Sequence, residues 1–278
     1  MKIGFIGLGN MATAIIGGLL REDTALSSED GNVTVITVAN IIGSAKTEAT
    51  RRAKAEQFGI AVTASNREVA EAADVLVLAV KPQFFSEVIA EIRDAVSANT
   101  LVISIAAGLT LERIAGLFDR NVTAMRLIRC MPNTPALVNA GCTAVVPGPG
   151  ATEADEALCL RLMESFGRAI VIPERLMDAA SATAGSSPAF VFMFIEALAD
   201  GAVAAGMPRA QAYEFAAAAV AGSAQLVLET GRHPGDLKDM VCSPGGTTIE
   251  GVRALEEGAF RASVMNAISA CVEKAKAL

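Results

Sequence analysis

The first twenty residues, MKIGFIGLGNMATAIIGGLL, constrain the fold more than any other stretch of the chain. Lys2 to Ile6 reads as a short buried strand and Gly7-Leu8-Gly9 as a tight turn. From Asn10 a helix is expected, with apolar residues recurring at Ala12, Ile15, Ile16 and Leu19. G-x-G-x-x-A between a strand and a helix is the local context of a dinucleotide-binding turn. Gly7 permits the turn, Gly9 lets the backbone approach a pyrophosphate, and Ala12 is small enough for the helix to lie on the sheet. The helix then offers unpaired N–H groups and a positive dipole end to the phosphates.

Val33 to Ala39 is β-branched and reads as the second strand, ending at Asn40. At that end such a fold meets the adenosine ribose, where an acidic residue binds a 2′-OH and repels a 2′-phosphate. Asn40 is neutral, and Ser44, Lys46, Arg51 and Arg52 follow it, so the local charge favours NADPH while leaving NADH usable. A helix over 47–58 closes at Gly59, Ile60–Thr63 forms a strand, and Asn66 caps the next helix. Val75–Val80 is a continuous apolar run, as expected of a parallel strand buried on both faces. Lys81-Pro82 opens a helix to about Val96. Strands at Leu101–Ile105, Met125–Cys130, Gly141–Val146 and Ala169–Ile172 follow, with a helix over 152–166 whose Thr152 and Asp155 fit a capping box. Strand and helix alternate over short connections, which predicts an α/β, doubly wound, Rossmann-like parallel sheet over residues 1–172. Ligands of such sheets gather at the carboxyl ends of the strands. Gly7 to Met11, Asn40, Lys81 and Ala106-Ala107 are all expected there.

Beyond Glu174 the texture is helical, predicting an all-helical second domain over 173–278. Ser187-Pro188 opens a helix that stops at Gly206, and residues 208–230 are alanine-rich and apolar on nearly every face. Glu196, Asp200 and Glu214 interrupt any membrane span, and a helix apolar all round belongs inside a bundle. Charged residues make up 19% of the chain and hydrophobic ones 52%, with a mean hydropathy of +0.45. Both observations point to an obligate homodimer without a membrane role. A net charge of −7 argues against a nucleic-acid partner. The first strand begins at Lys2, so no leader is expected, and the five scattered cysteines lack any C-x-x-C pair. That pattern fits reduced thiols in a cytoplasm rather than a disulfide frame or a metal site.

One glycine-rich segment interrupts the helical half: Asp239-Met240-Val241-Cys242-Ser243-Pro244-Gly245-Gly246-Thr247-Thr248-Ile249-Glu250. Thr247 and Glu250 have the spacing of a capping box, so a helix is expected from here to about Glu257. Gly245-Gly246 lets backbone come close to a ligand, and the N–H groups of Gly246 to Thr248 would form a small anion site, suited to a substrate carboxylate.

GFIGLGNMA, AVKP, SIAAG, RCMPNTP, AGSSPAF and DMVCSPGGTTIEGV, in this order and spacing, resemble pyrroline-5-carboxylate reductases over essentially the whole chain. The resemblance implies reduction of 1-pyrroline-5-carboxylate to L-proline with NAD(P)H, the last step of proline biosynthesis. It also implies helices that interlock with a second copy, an active site between one subunit's cofactor domain and the dimer's helices, and in some members a ring of dimers. Carried over by motif, Gly7, Leu8, Gly9, Asn10 and Met11 would bind the pyrophosphate, and Asn40 and Asn66 would lie near the adenosine ribose and its phosphate. Ala79, Val80, Lys81, Pro82, Ala106 and Ala107 would line the rest of the cofactor cleft. Ser243, Gly246, Thr247 and Thr248 would surround the substrate, with Thr248 the donor to the ring nitrogen and Glu174 near the pocket. The chain departs from the pattern at Ser187, usually glycine, at Phe190, usually tyrosine, and at Met240, where some relatives carry asparagine.

The sparse set of catalytic side chains fits this chemistry. A ketone reductase needs a proton donor to the developing alkoxide, whereas a cyclic imine can arrive as its iminium, already activated. A β-hydroxyacid dehydrogenase places a catalytic lysine on the helix after its glycine-rich segment, and Gly185 to Ala199 contains none. The single histidine, His233, precedes Pro234 and is expected to cap a helix or face solvent, and Cys242 has only Lys238 as a nearby partner. A non-catalytic NADP-binding regulator is the remaining alternative.

Overall fold

The computed structural model describes residues 1–21, 25–27 and 33–276. It falls into two compact units, one of Met1–Gly185 together with the C-terminal residues from Lys274, the other of Ser186–Glu273. The first is built on an eight-stranded sheet formed by β1 (Ile3–Ile6), β4 (Ile41–Ser44), β5 (Ala61–Thr63), β6 (Val75–Leu78), β7 (Leu101–Ser104), β8 (Leu127–Met131), β9 (Gly141–Pro147) and β10 (Gly167–Val171). Their order is β10-β9-β8-β7-β6-β1-β4-β5. All neighbours pair in parallel except β8 with β9, so the last two strands run against the rest.

The strands read as unbroken apolar runs because both faces are covered. Successive side chains point to opposite faces, so Ile3, Phe5, Val75, Val77, Leu101, Ile103 and Ile128 join one core. Ile6, Leu76, Leu78, Val102 and Leu127 join the other. Helices α1 (Asn10–Leu19) and α6 (Glu153–Glu164) cover the first face, while α3 (Asn66–Ala72), α4 (Phe85–Ile92) and α5 (Leu111–Leu117) cover the second. Helix α2 (Glu48–Phe58) starts at Thr47, whose hydroxyl accepts the Thr50 N–H, and ends at Gly59 in the left-handed conformation. Thr152 and Asp155 form the expected capping box on α6. Asp155 is buried there and paired with Arg126. All five cysteines are free.

The structure corrects the sequence reading between β1 and α2. Val33–Val35 (β3) pairs antiparallel with Ala25–Ser27 (β2) in a separate two-stranded sheet, and Val38–Asn40 is a short 3-10 turn. The strand that pairs with β1 is β4, which begins only after Asn40. Asn40 therefore stands at the amino end of that strand rather than its carboxyl end. Its side chain is used locally: Oδ1 accepts the Thr37 N–H and hydroxyl, and Nδ2 donates to the Met1 carbonyl. Two helix starts also differ. Ser65, not Asn66, caps α3, and Pro82 opens a 3-10 turn ahead of α4, which ends at Ile92 rather than near Val96.

Helix α7 (Met177–Ala180), a π-helical turn at Ser181–Ser186 and α8 (Ser187–Ala204) follow one another without a break, so the helix begins well before the Ser187-Pro188 start expected from sequence. In the second unit α8 packs on α9 (Arg209–Thr230) through Ala199, Ala212 and Ala216. Helices α10 (Pro234–Val241), α11 (Thr247–Glu257) and α12 (Phe260–Lys276) complete the chain.

Candidate active site

Among the described residues, two helices start at an extended glycine that leaves their first N–H groups without a competing side chain. Helices α2, α3, α5, α6 and α10 each begin at a residue whose side chain caps the first turn; for α10 this is His233, whose Nδ1 accepts the Gly235 N–H at 3.0 Å. Helices α1 and α11 begin instead at Gly9 and Gly246, both extended, with no side-chain cap. Unclaimed N–H groups at a positive helix end are where an anion binds.

The first place opens into a cleft of about 700 Å3 at the carboxyl ends of β1 and β4, within the size range of small-molecule sites. Gly7 makes the turn with φ of +93°, and a Cβ there would meet the Ala79 carbonyl oxygen at 2.9 Å. At Gly9 a Cβ would have no neighbour within 4 Å, so it would project into open space that the glycine leaves to a ligand. This arrangement fits the pyrophosphate of a dinucleotide. Ser44, Ala45, Lys46, Thr47, Thr50 and Lys54 line the cleft on the β4 and α2 side, and Val80, Phe84, Glu87, Val88 and Glu91 line it on the α4 side, with Asn66 among the remaining walls. One wall is thus basic and rich in hydroxyls, the other apolar with two carboxylates.

Among the cofactor residues expected from sequence, Gly7, Leu8, Gly9, Asn10, Asn66 and Val80 line this cleft. Met11, Ala79, Lys81, Pro82, Ala106 and Ala107 follow the carboxyl ends of β1, β6 and β7 without forming its walls. Asn40 lies at the opposite, amino end of β4. Arg51 does not face a ligand either; its guanidinium donates to the carbonyls of Ala45 and Lys46 at 2.9 Å each and braces the loop. Lys54, Thr47, Thr50, Glu87 and Glu91 were not singled out from sequence. Moving the strand end from Asn40 to Ser44 would have pointed to the first three.

The second place is the turn from Ser243 to Thr248. The Gly246 N–H donates to the Ser243 carbonyl at 3.0 Å, and Gly245 takes φ of +67°. A Cβ at Gly246 would sit 2.3 Å from the Ser243 hydroxyl, so only glycine leaves that hydroxyl its place. Thr247 and Thr248 are the first two residues of α11. The capping box expected of Thr247 and Glu250 does not form: the cap position falls one residue earlier, and Glu250 pairs with Arg253 at 2.8 Å. The anion site is left more open than the sequence suggested. Lys238 bonds Asp239 at 2.5 Å, which holds its ammonium above the usual range, so it is not committed to Cys242.

Glu174 is engaged within the first unit. Its Oε1 accepts the Leu111 N–H at 2.9 Å and the buried Arg129 guanidinium at 3.1 Å, tying β8 to the start of α5. Asn133, in the loop after β8, accepts the Cys142 N–H and donates to the Ala184 carbonyl at 2.9 Å, meeting a backbone acceptor within the π turn.

A doubly wound sheet with a glycine-started helix over a cleft of this size, and lysines along one wall, defines a nicotinamide-dinucleotide-linked oxidoreductase. Residues 2–108 match the family described as NADP oxidoreductase, coenzyme F420-dependent, and residues 174–278 match pyrroline-5-carboxylate reductase dimerisation. The chain is 51% identical to the pyrroline-5-carboxylate reductase of Escherichia coli over 277 residues, covering 100% of this chain and 98% of that one. Its fold matches a pyrroline-5-carboxylate reductase of Coxiella burnetii with a TM-score of 0.88 at 32% identity, over 99% of this chain and 97% of that one. The Plasmodium falciparum pyrroline carboxylate reductase, solved with NADP bound, matches with a TM-score of 0.81 at 31% identity, over 100% and 97%. The chain belongs to the pyrroline-5-carboxylate reductase family. Its reaction is the reduction of 1-pyrroline-5-carboxylate to L-proline by hydride transfer from NAD(P)H.

Proposed function

We propose that the two glycine-started helices divide the labour of this reaction. Gly7 to Met11 hold the pyrophosphate of NADPH, Asn66 and the Ser44–Lys54 wall meet the adenosine ribose and its phosphate, and Ala79 to Pro82 with Ala106-Ala107 border the nicotinamide half. Ser243, Gly246, Thr247 and Thr248 receive the substrate, its carboxylate on the N–H groups that open α11. Glu174 acts through Arg129 and the start of α5 rather than by touching substrate. By function, residues 1–172 form the dinucleotide domain and 173–278 the dimerisation and substrate domain. The observation that carries this division is that α1 and α11 each start at an extended glycine with no side-chain cap.

The cofactor supplies the hydride. The protein orients the ring so that C5 and the nicotinamide come within about 3–3.5 Å, excludes water, and anchors the carboxylate. Bound as the iminium, the substrate already carries the proton its nitrogen needs; hydride adds to C5, the C=N π pair becomes the nitrogen lone pair, and a neutral ring amine results. In this reading Thr248 Oγ1 hydrogen-bonds that nitrogen. A homodimer is the working form, its apolar helices covered by a second copy rather than by lipid, with assembly into a ring of dimers and a cytoplasmic location as further parts of this reading. Thr248→Ala tests the assignment: kcat should fall roughly tenfold or more while the Kd for NADPH changes less than about twofold. Unchanged turnover in a steady-state assay with 1-pyrroline-5-carboxylate would remove the donor role.

A further inference from the structure

The α4 wall of the cofactor cleft carries two carboxylates, an unexpected lining for a site that takes a polyphosphate. Phe84, Glu87, Val88 and Glu91 all line the cleft. Their spacing of three and four residues keeps them on one face of α4 and its cap. The two carboxylates are not equivalent. Glu91 Oε2 accepts an Asn66 Nδ2 proton at 2.7 Å, which ties it to the start of α3. Glu87, in the first turn of α4, is exposed and has no hydrogen bond or ion pair among the described residues. A carboxylate left free beside an anionic ligand weakens binding unless that ligand brings a proton for it to accept.

The adenosine half of a dinucleotide has few such protons: those of the ribose hydroxyls and of the exocyclic amino group of adenine. The ribose and its phosphate suit the opposite wall, where Lys46, Thr47, Thr50 and Lys54 stand, so the base is left to α4. There Phe84 and Val88 offer the ring an apolar surface, with the free carboxylate of Glu87 beside them. A mostly apolar seat with one or two polar groups to fix orientation is how such sites read a ligand. Resting on the reading of the cleft as the NADPH site, we infer that Glu87 is a specificity-determining residue for the base. Its carboxylate accepts a proton from the adenine amino group, and so selects adenine over a purine with an acceptor at that position.

The probe is nicotinamide hypoxanthine dinucleotide phosphate, in which a carbonyl oxygen replaces the amino group at unchanged net charge. General charge effects therefore cancel in the ratio of the two cofactors. The wild-type protein should favour NADPH over the reduced hypoxanthine analogue about tenfold in kcat/KM, the scale of one charge-assisted hydrogen bond, through KM rather than kcat. E87Q can accept through its amide oxygen or donate through its amide nitrogen, and should bring the ratio within about twofold of one. E91Q removes an equal charge from the same wall and should leave the ratio near tenfold, since Glu91 is spent on Asn66. Calorimetric Kd values for NADP+ and its hypoxanthine analogue should follow the same pattern. A wild-type ratio near one, an E87Q ratio equal to that of the wild type, or an E91Q ratio that falls as far as that of E87Q overturns the assignment. K46E separates this failure from a deeper one. If K46E leaves the Kd for NADP+ unchanged, the reading of the cleft as the cofactor site falls; if it raises that Kd while E87Q leaves the base ratio unmoved, only the role of Glu87 falls.

Discussion

The two units solve the problem of burying apolar surface in different ways. In the first, β1, β4, β6 and β7 are fully buried and closed in by helices on both faces. In the second, Ala199, Ala212, Ala216 and Leu237 are its only buried hydrophobic residues among those described, while Phe192, Met193, Phe215 and Met265 are each more than 60% exposed. A run from Glu174 to Ala204 even has the length and hydropathy of a membrane span, with 6% of its apolar window buried in the chain. A unit of alanines and exposed phenylalanines does not bury enough area to be stable alone, and apolar surface of this extent marks an interface. The match to a dimerisation family over 174–278 says what covers it. The first unit is complete as a single chain; the second acquires its core from another copy.

The largest expected effect tests that contrast. Phe192→Asp with Phe215→Asp should shift the mass measured by light scattering to that of one chain and lower activity by at least about thirtyfold, since isolated charges in a hydrophobic interface cost several kcal/mol. A full-size, active double variant would show that these faces are not the interface. Next is a change confined to the self-sufficient unit. Burial alone would raise the Asp155 carboxyl, but the Arg126 guanidinium and the Thr152 donors override it and hold it below the usual carboxylate range. A depressed folded-state pKa stabilises above the unfolded value, and that contribution is lost as pH falls through the folded value. Asp155→Asn should therefore cost about 3 kcal/mol at pH 7, and less as pH drops below about 4, in denaturant titrations. Equal costs at both pH values would contradict the ionised pairing. At the rim of the same unit, Lys46→Glu should raise the KM for NADPH roughly tenfold and that for NADH far less, the scale of one reversed charge near a phosphate. Smallest of all, Asn40→Asp should leave the NADPH-to-NADH ratio within about twofold, as expected of a residue at the amino end of β4, away from the cleft.

Much of the first unit was legible because parallel strands buried on both faces announce themselves as apolar runs. Val75–Leu78 and Leu101–Ser104 could hardly be anything else. Ile41–Ser44 was missed because its Gly43 and Ser44 lower its strand propensity, while Val33–Ala39 is richer in β-branched residues and outranks it. Strand propensity measures fit to a pleated surface and cannot say which sheet a strand joins. At Thr247-Glu250 the spacing fitted a capping box, but Gly246 took the cap position and Arg253 took the glutamate. Lys54, Glu87 and Glu91 carry no motif; they become site residues only because α2 and α4 stand on either side of one strand end.

By itself the sequence determined the glycine turn, the alternation of strand and helix, the helical second half and the glycine pair before α11. Backbone conformation and hydrophobic periodicity are local properties that a few neighbouring residues fix. Which strand ends border the cleft, which helices start at an uncapped glycine, and the hydrogen bonds that join Ser44 to Asn66 and Asn66 to Glu91 were decided by tertiary structure. Hydrogen-bond partners 22 and 25 residues apart meet only after the sheet has chosen its strand order.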